Sequence, residues 1–199
     1  MGSFCLSSNT TGTVNTAVGA KALSTNGTGS SNVAIGYEAL QMNTGSNNTA
    51  VGVRALEENT SANNNTAVGK DAMTSNTTGT DNTAVGMGAA QASTEGDSLV
   101  AVGRLALENN TTGNRSVAVG YQALASNTTG DNNIAIGKDA LQSNTTANYN
   151  TALGYEALEM NTTGTQNVAV GPFALDENTT ADNNVAVGYG SLSANATGS

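Results

Sequence analysis

Short apolar and short polar segments alternate along the whole chain at a fixed spacing. An apolar triplet such as the Val-Ala-Val at 117–119 is followed by glycine, then by an Ala-Leu pair, then by a polar Asn-Thr-Thr-Gly segment. The glycine that ends each triplet lies at 19, 36, 52, 69, 86, 103, 120, 137, 154, 171 and 188, a spacing of 17 except for one of 16, where the polar segment at 43–45 lacks one Thr. A fixed period of this kind indicates a repeat protein.

Numbered from the residue after each of these glycines, the unit has positions 1 to 17 and reads Tyr-Glu-Ala-Leu-x-x-Asn-Thr-Thr-Gly-x-Asn-Asn-Thr/Val-Ala-Val-Gly. The pattern is not helical, and 17 residues suffice for two short strands and two corners, which is one turn of a β-solenoid. We therefore predict an all-β, parallel β-solenoid, or β-roll, of about eleven to twelve turns. It would form a single domain over 1–199, with units starting at Ser3 and an incomplete last unit, and we expect it to be a segment of a longer protein.

Position 7 is Asn in almost every copy. Asn tolerates left-handed backbone angles and bonds within its own turn, and stacked Asn side chains can bond one another, so this position predicts a structural corner ladder. Ser93 replaces Asn in one copy. The predicted ladder consists of Asn9, Asn26, Asn43, Asn59, Asn76, Asn110, Asn127, Asn144, Asn161, Asn178 and Asn195.

Position 15, in the middle of the apolar triplet, is Ala in every copy. Because a strand has two faces, this Ala points outward if its Val neighbours point inward, and contact with another chain would then explain why it never varies. Alternatively, it points inward because the roll is too narrow for a larger side chain. The thin, aromatic-poor core favours the first interpretation and an oligomer. The positions are Ala17, Ala34, Ala50, Ala67, Ala84, Ala101, Ala118, Ala135, Ala152, Ala169 and Ala186.

Composition narrows the possible functions. The chain has a net charge of −9 and no His. An acidic chain is a poor partner for nucleic acid, and no apolar run is long enough to span a membrane. Without His, and without a nucleotide-binding or nucleophile motif, we expect no enzyme and no cofactor. The one thiol, Cys5, occupies a position that is usually Ala and is interpreted as a small buried side chain, while carboxylates such as Glu38 and Asp139 are interpreted as a solvated face.

Three further ideas carry less weight. Asp97, Asp131 and Asp182 share position 11, but too few copies carry Asp there for a calcium ladder. The paired Thr of the polar turn suggest an ice-binding array, although Thr on the strands alternates with Val. Glycosylation sequons also occur, but Asn and Thr are common turn residues, which explains them without glycans. Six of these sequons begin at Asn9, Asn76, Asn127, Asn144, Asn161 and Asn178.

The phrases SNVAIGYEAL at 31–40 and RSVAVGYQAL at 115–124 resemble the head repeats of YadA-like trimeric autotransporter adhesins, and the repeat arrays of some bacteriophage tail-fibre proteins are similar. The resemblance implies a left-handed roll, three chains side by side, and a non-enzymatic fibre or adhesin segment. Such a segment would be extracellular, on a cell surface or on a virion.

The resemblance also bears on partners. It implies self-association as a homotrimer and a cell-surface or glycan receptor. End-to-end filaments are another expected form of self-association, because both ends stop within or beside a repeat and lack evident caps. The unit is longer than the usual adhesin unit because of the Asn-Thr-Thr-Gly segment. The alternative function is a monomeric or filament-forming solenoid that binds ice or glycans through its Asn and Thr ladders.

Overall fold

A computed structural model describes residues 2–195. These residues form eleven three-residue strands and no helix, and the strands lie in chain order in one parallel sheet. Neighbouring strands pair in register, so that Ala118 lies opposite Ala135. The predicted all-β parallel β-solenoid is confirmed, with about ten stacked turns. The strands are β1 Thr16–Val18, β2 Val33–Ile35, β3 Thr49–Val51, β4 Thr66–Val68, β5 Thr83–Val85, β6 Val100–Val102, β7 Val117–Val119, β8 Ile134–Ile136, β9 Thr151–Leu153, β10 Val168–Val170 and β11 Val185–Val187.

Backbone hydrogen bonds also join the turns outside the strands. In the middle of the stack, the N–H of Leu124 donates to the carbonyl of Ala140 at 3.0 Å, and the N–H of Asn132 donates to the carbonyl of Asn114 at 3.0 Å. Equivalent bonds recur from turn to turn. Each turn is therefore bonded to its two neighbours on several sides, which satisfies backbone groups that short strands alone would leave unpaired.

Each turn contains one strand, not the two that the sequence predicted. The second apolar segment, Ala-Leu at positions 3 and 4, forms a bend because its position-4 residue has a left-handed φ of 49° to 53° in every turn. Positions 2 and 12 are also left-handed, as at Asp139 and Asn132. A left-handed residue reverses the local chain direction and cannot continue a strand, so the predicted second strand was wrong.

The glycine at position 17 closes each strand at a corner that only glycine fits. Its φ lies between 125° and 147°. At Gly120, an added Cβ would lie 2.4 Å from the carbonyl oxygen of Gly137 in the next turn. The close stacking of these corners, as well as the backbone angle, therefore requires glycine.

The core is a narrow column in which the Ala of position 15 faces inward. Ten of these Ala are at most 2 % exposed, and they pack against the Ala and Leu of positions 3 and 4. The interpretation of this Ala as an outward contact was therefore wrong, as was the expectation that Val18 and its equivalents fill the core. The roll has room only for a methyl group opposite each Leu. Cys5 packs against this core, as expected, but it is half-buried where the sequence predicted a buried side chain.

The one shortened repeat leaves the stack intact. Although the polar turn at 43–45 lacks a residue, β3 pairs in register with both β2 and β4. Asn43 still donates to the carbonyl of Gly45 at 2.8 Å. The deletion is therefore absorbed in the turn, and the strands on either side keep their register.

Candidate functional site

The Asn residues of position 7 form a continuous hydrogen-bonded ladder inside the roll. In each turn one N–H of the side-chain amide donates to the Oδ1 of the Asn in the preceding turn, as from Asn144 to Asn127 at 2.9 Å. The other N–H donates to the carbonyl of position 10 in the same turn, as from Asn144 to Ala147 at 3.1 Å. An interior Asn such as Asn144, which has an Asn in both neighbouring turns, thereby uses both donors and its Oδ1, which is why Gln or Asp would not substitute equally well.

A second ladder lies at position 13, just before each strand. The Oδ1 of Asn133 accepts the backbone N–H of Asn150 at 2.9 Å, and the Nδ2 of Asn133 donates to the carbonyl of Ala147 at 2.7 Å. The sequence shows this recurrent Asn, but not its role: its partners lie in the next turn and become evident only when the turns are stacked. Both ladders meet at the carbonyl of position 10.

The turn at 87–103 interrupts both ladders. Ser93 replaces the Asn of position 7, and its Oγ lies 3.5 Å from the Nδ2 of Asn110, longer than the bonds of the intact ladder. The Oδ1 of Asn76 is buried and has no hydrogen-bond partner. Leu99 replaces the Asn of position 13 and is buried. This turn is the polar defect of the stack.

Burial of the position-7 Asn changes two expectations. The Asn ladder forms, but it cannot be the surface that binds ice or glycans in the alternative function, because Asn76, Asn127, Asn144, Asn161 and Asn178 are fully buried. Their side-chain nitrogens are also engaged in hydrogen bonds, so in the folded roll these five sequons are inaccessible to glycosylation. Asn9, in the first turn, is exposed.

Threonines of the polar turn fall into two columns with different roles. At position 8 the hydroxyl donates to a carbonyl of the next turn, as from Thr128 to Thr145 at 3.0 Å. At position 9 the Thr are exposed, and five follow one another in successive turns. The sequence suggested that both Thr of the polar turn could form an ice-binding array. In the structure the position-8 hydroxyls bond to the next turn, which leaves the position-9 column for such an array. These exposed threonines are Thr112, Thr129, Thr146, Thr163 and Thr180.

The Asp residues of position 11 act as hydrogen-bond acceptors between turns. The Oδ1 of Asp182 accepts both the backbone N–H and the hydroxyl of Thr165. Those bonds lower the pKa of Asp182 below its usual value, against a smaller opposing effect of burial. In other copies Ser30 or Asn148 accepts the equivalent backbone bond. The shared requirement at this position is thus an acceptor oxygen, which explains the alternation of Asp, Asn and Ser without a metal ion.

Charged side chains pair between turns along the position-2 column. Lys21 bonds Glu38 at 2.7 Å, and Arg54 lies 2.7 Å from Asp71. The hydrogen bond from Lys21 lowers the pKa of Glu38, and the same bond raises the pKa of Lys21. The cations of these pairs are exposed, and screening by water keeps the effect of the pairs on stability small. The carboxylates are largely covered, with Asp139 only 7 % exposed, so the interpretation of these carboxylates as a solvated face was wrong.

Two carboxyls at position 5 have the opposite shift. Burial is the main cause that raises the pKa of Glu57 and of Glu159, and neighbouring carboxylates, Glu38 and Glu156 respectively, add to it. Neither residue lies in a cleft, because no pocket is present among residues 2–195. The raised pKa values therefore reflect mainly the burial of these two carboxyls, and crowding of like charges is a smaller cause.

The strand residues on either side of the inward Ala, at positions 14 and 16, point outward. We call these two columns the outer strand face. Position 14 is Thr, Val or Ile and position 16 is Val, Ile or Leu in all eleven strands. Many are exposed, including Ile35 at 41 % and Leu153 at 45 %. The sequence predicted an apolar strand but assigned its aliphatic side chains to the interior.

Among residues 2–195 there is no grouping of three His, Cys, Asp or Glu side chains that could hold a metal ion. Within the same residues, no helix has the length and apolar character needed to cross a membrane. The surface thus offers the exposed Thr column of position 9, the charged column of position 2 and the outer strand face. Each of these features is extended and repetitive.

Comparison of the chain with protein-family models, with curated proteins and with solved structures finds no match.

Proposed function

We propose that the protein is a non-enzymatic fibre or adhesin segment: a stiff rod that spaces or presents a binding surface outside the cell or on a virion. The observation that carries the proposal is the pair of internal Asn ladders, which bond successive turns along nearly the whole stack. Aligned amide ladders resist sliding and separation of the turns. A rod of eleven strands at about 4.8 Å per strand is roughly 50 Å long.

The proposal includes a left-handed roll and three copies side by side, as the resemblance to YadA-like head repeats implies. A single roll has a narrow core of Ala and Leu. Lateral association would bury further apolar surface and stiffen the rod. The partners would be further copies of this chain and a cell-surface or glycan receptor.

The test combines small-angle X-ray scattering with light scattering after size exclusion. We expect an elongated particle whose mass is three times the 19.7 kDa of one chain. A globular scattering profile would contradict the rod. A rod-shaped scattering profile with the mass of one chain would agree with the rod but contradict the lateral association of three chains.

The second candidate is a monomeric module that binds ice or glycans. The feature that favours it is the run of exposed Thr at position 9, since the Asn ladder is buried and the position-8 hydroxyls are engaged. Thermal hysteresis by the wild-type protein, lost in Thr129→Val/Thr146→Val, would support ice binding. Its absence in the wild type would remove that function.

A further inference from the structure

The outer strand face differs in composition from every other exposed part of the roll. Its two columns comprise 22 residues over eleven strands, of which 17 are Val, Ile or Leu and five are Thr. None is ionisable. All 21 charged residues of the chain lie at positions 1, 2, 5, 6, 9, 11 and 12.

Other exposed positions show what this chain places in contact with water. Position 1, next to the corner glycine, changes from Lys70 to Met87, Arg104 and Tyr121 in successive turns. The outer strand face, although substantially exposed, does not vary in this way. A contiguous aliphatic surface of this extent marks an interaction site.

We propose that the outer strand face is the surface through which copies of this chain contact one another, an inference that rests on the self-association in the proposed function. The first reason is the periodicity. The face repeats every strand, at about 4.8 Å, over roughly 50 Å. A partner surface stays in register with this face along the whole length only if it has the same repeat. A second copy of this chain has that repeat.

The second reason is charge. Each chain has a net charge of −9, so two copies repel one another unless they meet through uncharged surfaces. The outer strand face is the extended surface without charges, and its approach leaves the acidic columns in water. The charge distribution therefore favours this face for contact between copies.

The third reason is area. Eleven strands at about 4.8 Å and three residues at about 3.3 Å give a flat face of roughly 500 Å². Pairing two such faces would bury about 1,000 Å² in total, the lower bound for a specific interface. Side chains of facing sheets interdigitate at a separation of about 10 Å, a spacing that Val, Ile and Thr suit.

The test is a triple variant, Val85→Lys/Val119→Lys/Leu153→Lys, compared with the wild type by light scattering after size exclusion. The three residues belong to alternate turns and to position 16. The matched control is Thr78→Lys/Thr112→Lys/Thr146→Lys, which adds the same charge to exposed residues in the same three turns. Circular dichroism verifies that all three proteins are folded.

We expect the wild type and the control to have the mass of several chains, and the face variant to have the 19.7 kDa of one chain. A face variant that is folded and keeps the wild-type mass would overturn the proposal while leaving the fibre intact. A wild type that remains a single chain at its highest soluble concentration would also overturn it. In that case the scattering profile still tests the rod separately.

Discussion

Repairing the interrupted Asn ladder should stabilise the protein. In Ser93→Asn the new Nδ2 is placed to donate to the buried Oδ1 of Asn76, which has no partner, and to the carbonyl of Gly96. Its Oδ1 would accept from Asn110, replacing a contact of 3.5 Å with a bond of the usual 2.7–3.1 Å. An unsatisfied buried acceptor costs about 1–3 kcal/mol, so we expect a gain of that size in the free energy of unfolding.

The reciprocal variant, Asn144→Ser, should lose as much. It removes the donor to Asn127 and the acceptor for Asn161, and so reproduces in an intact part of the ladder the gap found at Ser93. The control is Asn148→Ser, the same chemical change at position 11, where Ser30 and Ser46 already accept the equivalent bond. We expect this control to lie within about 0.5 kcal/mol of the wild type.

The assay is urea unfolding followed by circular dichroism, supported by thermal melting, in which each kcal/mol corresponds to about 2–4 °C for a chain of this size. Hydrogen exchange of the amides near each substitution reports whether the change is local. If Ser93→Asn and Asn144→Ser both leave the unfolding midpoint at that of Asn148→Ser, the ladder does not stabilise the roll. The reasoning would then be refuted.

Three further predictions concern a corner, a bend and a carboxyl. Gly120→Ala should lower the free energy of unfolding by about 3 kcal/mol or prevent folding, because φ at Gly120 is 139° and the new Cβ would meet the carbonyl oxygen of Gly137. The control is Gly27→Ala, whose Cβ would have no neighbour closer than 3.9 Å and which should leave the urea midpoint nearly unchanged. Tyr149→Asn should raise the free energy of unfolding by about 1 kcal/mol, because this exposed residue has a φ of 60°, which Asn tolerates better than Tyr. The control is Tyr121→Asn, which should show no gain in urea unfolding because the backbone of Tyr121 is not left-handed. Burial raises the pKa of Glu159 in the folded state, so its contribution to stability is greatest below the unfolded pKa and is lost as pH rises through the folded pKa. Glu159→Gln should therefore be more stable than the wild type at neutral pH, and this advantage should vanish below pH 4.5, the ordinary pKa of a Glu side chain. A gain in stability that does not depend on pH would contradict burial of the charge as its cause.

The 17-residue period of the sequence was enough to predict a solenoid, because stacked turns place each residue next to the residue at the same position of the neighbouring turn. Gly at position 17 and Asn at position 7 recur for that reason, and both could be assigned a corner role from the sequence.

The direction of the strand side chains could not be predicted in the same way. In Val-Ala-Val both faces are apolar, so alternation alone does not distinguish inside from outside. The choice depends on the width of the roll, which is set by Leu158 and its equivalents across the core. Those Leu have left-handed backbone angles, which Leu rarely adopts. The bend that sets the width of the roll could therefore not be predicted from the type of residue at this position.

The exact stacking of equivalent positions also bears on how the chain folds. Nearly every hydrogen bond between turns joins residues 14 to 18 apart, however long the array. In a chain of 199 residues this corresponds to a relative contact order of roughly 0.09, in the range of helical bundles and well below the roughly 0.16–0.22 of β-sandwiches. An all-β protein of this kind should fold quickly once two turns have formed, because each added turn closes only a short loop. Propagation should slow at the turn of 87–103, where the Asn ladders are broken, so the two halves of the array should nucleate independently.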